Sequence, residues 1–226
     1  MEFISAALSR YVEEHTSPEP DYLYRLNRET HLKVMQPRML SGHLQGRFLS
    51  MISGLMQPKL ILEIGTYTGY SALCLAEGLA PNGKLHTIDN NAEREQFVMK
   101  FIREAKMEEK VIPHIGDAAQ VIPQIEGIFD LVFIDADKEN YSLYFDMVID
   151  RVRPGGLIIS DNVLWSGKVL ETVKESDQDT IALLEFNRQM MHDQRVEVVL
   201  LPVRDGLSMV RKKAKLESKL QLFEVV

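Results

Sequence analysis

Three oxygen-bearing side chains stand at the ends of two stretches that are typical of buried strands. The apolar run at residues 131–134 stops at Asp135, and the run at 157–159 leads to Asp161 and Asn162. Open α/β sheets bind ligands in the crevice beyond the carboxyl ends of their strands. Carboxylate and amide oxygens are hard ligands, so these residues predict a site for Mg²⁺ or for Mn²⁺ or Ca²⁺. A strand-end Asp is also a common cap or turn residue.

A glycine-containing turn follows the first predicted strand, in LEIGTYTGYSAL. Gly65 and Gly69 allow a tight turn and the close approach of a ligand to the backbone. The helix that begins near Tyr70 or Ser71 directs amide groups toward this turn. The spacing differs from the GxGxxG of dinucleotide-binding folds, and no lysine marks a phosphate loop. Simple strand-to-helix punctuation therefore stays an alternative for the turn considered alone.

Acidic residues near the turn indicate the chemistry of the ligand. Asp89 ends the second strand, where an acid accepts hydrogen bonds from ribose hydroxyls. Asp117 follows the third strand and could accept from an exocyclic amine such as adenine N6, or cap the helix at Ala118. Glu63, inside the first strand, needs a cationic or donor partner because an unpaired buried carboxylate is costly. A ligand with ribose and an amino group but no pyrophosphate meets these needs, and S-adenosylmethionine is such a ligand.

Candidate strands and helices alternate from Lys59 onwards. The predicted strands are LILEIG, KLHTIDN, KVIPHIG, FDLVFIDA, GGLIISDN, VEVVLLPV and LSMVRKK. This alternation predicts an α/β fold with a mostly parallel sheet and helices on both faces. Only the turn at residues 204–206 separates the last two strands, so they should pair antiparallel. Upstream, helices are predicted at residues 2–15, at 21–35 and from about Ser41.

The composition narrows the classes of protein. With 226 residues, 45% of them hydrophobic, the chain fits one domain with a stable core. A net charge of −7 and a pI near 5.4 argue against nucleic acid as a partner. Cys74 is the only cysteine, which excludes an internal disulfide. The chain has no bilayer-spanning apolar run and no signal-peptide pattern, so we expect a cytoplasmic protein without membrane association.

Five segments resemble, in order and spacing, the metal-dependent class I O-methyltransferases, in particular the caffeoyl-CoA O-methyltransferase-like enzymes and their small bacterial relatives. They are LEIGTYTGYSAL, TIDNN, GDA, FDLVFIDADKENY and GGLIISDNVLWSGKV. The resemblance implies a Rossmann-like seven-stranded sheet with an antiparallel last strand, and a homodimer. It implies one O-methyltransferase domain over residues 1–226. Within it, residues 1–55 would form helices and a lid, 59–212 the cofactor- and metal-binding core, and 213–226 a tail.

The resemblance also assigns roles to individual residues. Asp135, Asp161 and Asn162 would bind the metal, and Lys138 would be the catalytic lysine, with a solvated surface position as the alternative. The residues implied for S-adenosylmethionine are Met39, Ser41, Glu63, Gly65, Thr66, Tyr67, Ser71, Asp89, Asn90, Asp117, Ala118 and Asp135. Trp165 and Asp205 are expected beside the acceptor, although Trp165 could equally lie in the core.

The predicted reaction is methyl transfer from S-adenosylmethionine to one hydroxyl of a catechol-type acceptor, a small phenolic molecule with two vicinal hydroxyls. Both oxygens would bind the metal, which would activate one of them and orient it. Two alternatives stay open at this point. A nicotinamide-dependent oxidoreductase would leave Asp161 and Asn162 unexplained. A catalytically silent, cofactor-binding dimer is disfavoured by the presence of Lys138 together with the metal ligands. The sequence does not predict which catechol is methylated.

Overall fold

The computed structural model describes residues 4–214, in which seven strands form one sheet. The strands are β1 (Leu60–Ile64), β2 (Lys84–Asp89), β3 (Val111–Ile115), β4 (Phe129–Ile134), β5 (Val152–Asp161), β6 (Val196–Leu201) and β7 (Leu207–Lys212). Their order is β3-β2-β1-β4-β5-β7-β6. Strands β1 to β5 are parallel, and β7 lies antiparallel between β5 and β6. The predicted Rossmann-like sheet with an antiparallel last strand is therefore confirmed.

Helices cover both faces of this sheet. The α-helices within the described residues are α1 (Ala6–Glu14), α2 (Asp21–Lys33), α3 (Gly42–Met56), α4 (Tyr70–Ala76), α5 (Glu95–Glu104), α6 (Ala118–Val121), α7 (Tyr141–Ile149) and α8 (Gln178–His192). Successive strand residues point to opposite faces, so Leu62 and Val132 belong to one apolar cluster, while Ile61 and Leu131 belong to the other. None of the helices in residues 4–214 is long and apolar enough to cross a membrane.

Two predicted features extend beyond the described residues. The first predicted helix, at residues 2–15, begins at Ala6 in the structure, and residues 1–3 lie outside the described part. Of the tail predicted at residues 213–226, only Lys213 and Ala214 are described.

The register of the parallel strands brings the predicted site residues to one edge. Ile64 at the end of β1 pairs with Ile88 of β2 and with Ile134 of β4, which in turn pairs with Ser160 of β5. The residues that follow these positions are Gly65, Asp89, Asp135 and Asp161. Because parallel strands end in the same direction, all four lie along the carboxyl edge of the sheet.

Gly65 allows the ends of β1 and β4 to approach closely. Its φ of 104° favours glycine, and a Cβ at this position would lie 1.8 Å from the carbonyl oxygen of Asp135. The amide of Asp135 donates to the carbonyl of Ile64 at 2.8 Å. The contact at Gly65 therefore also fixes the backbone that carries the Asp135 side chain.

We expect Gly65→Ala to lower the free energy of unfolding by about 3 kcal/mol, because a methyl group there forces β1 and β4 apart in a strained backbone conformation. Urea unfolding measures this change. Gly54→Ala in α3 is the matched control, since a Cβ at Gly54 meets nothing within 4 Å and alanine favours the helix by about 1 kcal/mol. Wild-type stability of Gly65→Ala would contradict this account.

Candidate active site

A cavity of about 1680 Å³ opens at the carboxyl edge of the sheet. Most of the predicted site residues line it, namely Met39, Ser41, Gly65, Tyr67, Asp89, Asn90, Asp117, Ala118, Asp135, Lys138, Asp161, Asn162, Trp165 and Asp205. Glu63, Thr66 and Ser71 are absent from this lining and are buried in β1, in the turn that follows it and in the first turn of α4, respectively. The structure thus brings all the predicted metal and acceptor residues to one cavity, together with all the predicted cofactor residues except these three buried ones.

The ammonium group of Lys138 lies among the predicted metal ligands. Its Nζ is 3.3 Å from Asp135 Oδ1 and donates to Asn162 Oδ1 at 2.8 Å. It also donates to the hydroxyl of Tyr141 at 2.7 Å. Lys138 is only 6% exposed, so the alternative of a solvated surface lysine is wrong.

Tyr141 is a site residue that the sequence analysis missed. Its hydroxyl accepts from Lys138 and donates to the backbone carbonyl of Asp161 at 3.0 Å. Complete burial raises the pKa of Tyr141 well above its usual value, so the hydroxyl stays protonated. Its place three residues after Lys138, at the start of α7, puts both side chains on one side of a helical turn. That spacing was the available signal.

Asp161 is held on both carboxylate oxygens. Oδ1 accepts from the amide of Asn162 at 2.7 Å, and Oδ2 accepts from Nε2 of Gln45 at 2.6 Å. Burial and the neighbouring carboxylate of Asp135 raise the pKa of Asp161. Within residues 4–214, no group of three or more His, Cys, Asp or Glu side chains could hold a metal ion. A cation at this edge would therefore depend on the two carboxylates and the amide oxygen of Asn162.

Asp89 organises the turn on the opposite side of the cavity. Its Oδ2 accepts from the amide of Tyr67 at 2.7 Å, and its Oδ1 accepts from the amide of Asn91 and from Arg94. Asp117 caps α6, since its Oδ1 accepts from the amide of Ala119 at 2.8 Å. Capping is therefore present, and because Asp117 also lines the cavity, a ligand contact is compatible with it.

A segment at residues 35–41 borders the cavity and is held from two sides. The hydroxyl of Tyr67 donates to the carbonyls of Met35 and Gln36 at 3.1 and 3.2 Å. From the turn between β6 and β7, Arg204 donates to the carbonyl of Leu40 at 2.8 Å. The segment includes Met39, which is about half exposed, and ends at the buried Ser41. A lid within residues 1–55 stays a prediction, and this segment is the part of that range that lines the cavity beside Ser41.

Trp165 lies on a loop with left-handed backbone conformations. Its ring centroid is 5.7 Å from Nζ of Lys138, and its φ is 45°, followed by a φ of 55° at Ser166. Such residues each cost about 1 kcal/mol or more and need outside support. Asp205 provides it, because its Oδ1 accepts from the amide of Ser166 at 2.5 Å. Trp165 thus borders the cavity beside Lys138, and Asp205 holds the loop that carries it.

Glu63 is a completely buried acid in β1. Its Oε2 accepts from the hydroxyl of Thr87 at 2.5 Å, while its Oε1 has no hydrogen-bond partner among the described residues. Burial raises the pKa of Glu63 to about 8, although the hydrogen bond from Thr87 lowers it in part. The protein folded without a ligand therefore holds a proton here that the unfolded chain releases near pH 4.5.

Because the folded state binds this proton and the unfolded state does not between about pH 5 and 8, we expect the cofactor-free protein to lose stability as the pH rises through that range. Glu63→Gln removes this part of the decline, and at pH 8 it should gain up to about 4 kcal/mol over the wild type. Urea unfolding at several pH values measures the effect. Glu197→Gln, on an exposed side chain paired with Arg211, is the control and should parallel the wild type. An unchanged slope for Glu63→Gln would show that Glu63 ionises normally.

The fold and the cavity together define the class as Rossmann-like proteins with a cofactor site at the carboxyl edge of the sheet. A family described as O-methyltransferase matches residues 13–213. Caffeoyl-CoA O-methyltransferase 5 of Nicotiana tabacum is 34% identical over 221 residues, which cover 92% of each chain. The caffeoyl-CoA O-methyltransferase of Petroselinum crispum is also 34% identical, with 92% and 91% covered. The chain therefore belongs to the O-methyltransferase family.

Solved structures agree with this assignment. An O-methyltransferase from Bacillus cereus in complex with SAH has a TM-score of 0.83 and 28% identity, covering 92% of this chain and 97% of that one. The O-methyltransferase TomG from Streptomyces achromogenes, in complex with SAM, has a TM-score of 0.85 and 25% identity, covering 92% and 96%. The protein is an S-adenosylmethionine-dependent O-methyltransferase, as the sequence predicted. The nicotinamide-dependent alternative is set aside.

Proposed function

We propose that the protein methylates one hydroxyl of a catechol-type small molecule and uses a divalent cation to do so. The main support for the proposal is that side-chain oxygen atoms of Asp135, Asp161 and Asn162 lie close together at the ends of β4 and β5. Asp135 and Asn162 each direct an oxygen to within 3.3 Å of one positive charge, the ammonium of Lys138, and the buried Asp161 lies beside them. A site that already collects a cation among hard oxygen donors is suited to Mg²⁺, or to Mn²⁺ or Ca²⁺.

The charges of the site support the presence of a cation. Two carboxylates lie close together at low exposure, and their mutual repulsion contributes to the raised pKa of Asp161. Asp135, Asp161 and Asn162 would hold the cation. When bound, it would favour deprotonation of an acceptor hydroxyl and orient two vicinal oxygens. An acceptor with two adjacent hydroxyls matches that requirement, whereas a single phenol offers one oxygen only.

Lys138 is the proposed general base. Its neutral amine would accept the hydroxyl proton at Nζ, which the hydroxyl of Tyr141 holds in place at 2.7 Å. The ring of Trp165 lies within 5.7 Å of the same atom and would form a wall against the acceptor ring. The aromatic wall and the lid at residues 35–41 would exclude water from the methyl group during transfer.

S-adenosylmethionine would extend along the carboxyl edge from Asp117 toward Asp135. Asp89 would accept hydrogen bonds from the ribose, and Asp117 from the adenine amine. The positive amino group of the methionine part would favour the ionised form of Glu63, which holds a proton in the cofactor-free protein. Met39 and Ser41 would cover the reactive methyl. Homodimeric assembly, a single-domain organisation and a cytoplasmic location stay predictions of the sequence.

A panel of catechols, including caffeate, tests the proposed reaction. With S-adenosylmethionine and Mg²⁺ we expect a product in which one methyl group replaces a hydroxyl hydrogen, a net gain of one CH₂ unit, and an equal amount of S-adenosylhomocysteine. A chelator should abolish the reaction, and excess Mg²⁺ should restore it, because the acceptor is activated at the cation. A monophenol such as p-coumarate is the matched control and should not react. Full-rate methylation of a catechol in the presence of chelator would contradict the role of the cation.

Lys138→Ala tests the general base. We expect turnover to fall by about 100-fold or more, because no other group replaces the amine, while the affinity for S-adenosylmethionine stays at the wild-type value. Lys168→Ala is the matched control. Lys168 lines the same cavity but is exposed and paired with Asp177 at 3.0 Å, so its loss should leave turnover close to normal. Near-normal turnover of Lys138→Ala with intact cation binding would exclude the proposed role.

A further inference from the structure

Gln45 links the first helix after the lid to a proposed metal ligand. It lies in the first turn of α3, is completely buried, and donates from Nε2 to Oδ2 of Asp161 at 2.6 Å. The two residues are 116 positions apart in the chain. Its Oε1 has no hydrogen-bond partner in residues 4–214. Among the described residues, the Gln45 side chain therefore makes one hydrogen bond, to Asp161.

Packing alone does not account for glutamine at this position. The unpartnered Oε1 costs about 1–3 kcal/mol, and this cost is offset only through the hydrogen bond that Nε2 donates to the buried carboxylate of Asp161. The amide orientation is also defined, because Oε1 facing the carboxylate of Asp161 would be repelled. The amide group of Gln45 is thus oriented so that it donates a hydrogen bond to Asp161.

The other carboxylate oxygen of Asp161, Oδ1, accepts a hydrogen bond from the backbone rather than from a side chain. Oδ1 accepts from the amide of Asn162, which has a left-handed φ of 60°. The backbone of Asp161 is fixed by its pairing with Leu207 of β7. Without Gln45, the carboxylate would be held by a donor on one oxygen only, and rotation about its side-chain bonds would be less restricted.

We propose that Gln45 is a positioning residue that holds the Asp161 carboxylate in the orientation in which it binds the divalent cation. The inference rests on the proposed function, since it requires a cation at Asp161. It follows the general behaviour of metal sites, where partners of the ligands set ligand orientation and strongly influence affinity. Because α3 begins directly after Ser41, the hydrogen bond from Gln45 to Asp161 also connects the segment at residues 35–41 to the end of β5.

Titration of the full-length protein with MnCl₂ by isothermal calorimetry tests this inference without any turnover. Gln45→Met retains the length of the side chain but has no hydrogen-bond donor. We expect it to raise the dissociation constant for Mn²⁺ about 10-fold. Gln45→Leu is a second variant with the same expectation. Asp161→Ala gives the reference for loss of a ligand.

Ser53→Ala is the matched control. Ser53 is also buried in α3, and its hydroxyl donates to the carbonyl of Leu75 at 2.6 Å, away from the cavity. This variant loses a buried hydrogen bond of the same helix, so a merely structural effect on α3 would weaken Mn²⁺ binding here as well. We expect the wild-type dissociation constant.

The outcomes separate the inference from the proposed function. If the wild type and both Gln45 variants bind Mn²⁺ equally well, the positioning role is overturned and the proposed function stands. If Ser53→Ala weakens Mn²⁺ binding as much as Gln45→Met, the effect belongs to helix packing and the positioning role is overturned. If the wild type binds no Mn²⁺, the proposed function fails, and this inference fails with it.

Discussion

Two carboxylates at neighbouring strand ends create the electrostatic constraint on which the site depends. The parallel pairing of β4 and β5 places Asp135 and Asp161 at the same edge, and the close approach at Gly65 fixes the first of them. Buried like charges are unfavourable unless a cation or hydrogen-bond donors compensate them. The compensation in this structure comes from Lys138, from Gln45 and from the amide of Asn162.

The segment at residues 35–41 is tied to the same edge of the sheet. Residues 35–41 accept hydrogen bonds from Tyr67, in the turn after β1, and from Arg204, in the turn between β6 and β7. The helix that follows delivers Gln45 to Asp161. Tyr67, Arg204 and Asp161, which are distant from one another in sequence, therefore each bond to a residue between 35 and 45 beside one cavity. The proposed cofactor and cation would bind between these points.

The sequence predicted the sheet and its edge well because both follow from local patterns. Apolar strands that end in an acid, alternating with helices, suffice to place Asp89, Asp135 and Asp161 at one edge. Gln45 was not predicted, because no local pattern relates it to a residue 116 positions away. The hydrogen bond of Asp205 to the loop of Trp165 was missed for the same reason, since it depends on how β7 inserts beside β5. The burial of Lys138 likewise depends on tertiary packing.

Lys138 and a bound cation would compete for the same oxygens. The oxygens of Asp135 and Asn162 that contact Nζ are two of the proposed ligands, whereas Tyr141 is not one of them. If Asp135 and Asn162 held a cation, Lys138 would keep its hydrogen bond to Tyr141, which is itself bonded to the backbone carbonyl of Asp161. The amine would then be free of its ion pair yet still held beside Trp165. Under the proposed function, the availability of the base is therefore tied to the presence of the cation, through atoms that all belong to the ends of β4 and β5 and the start of α7.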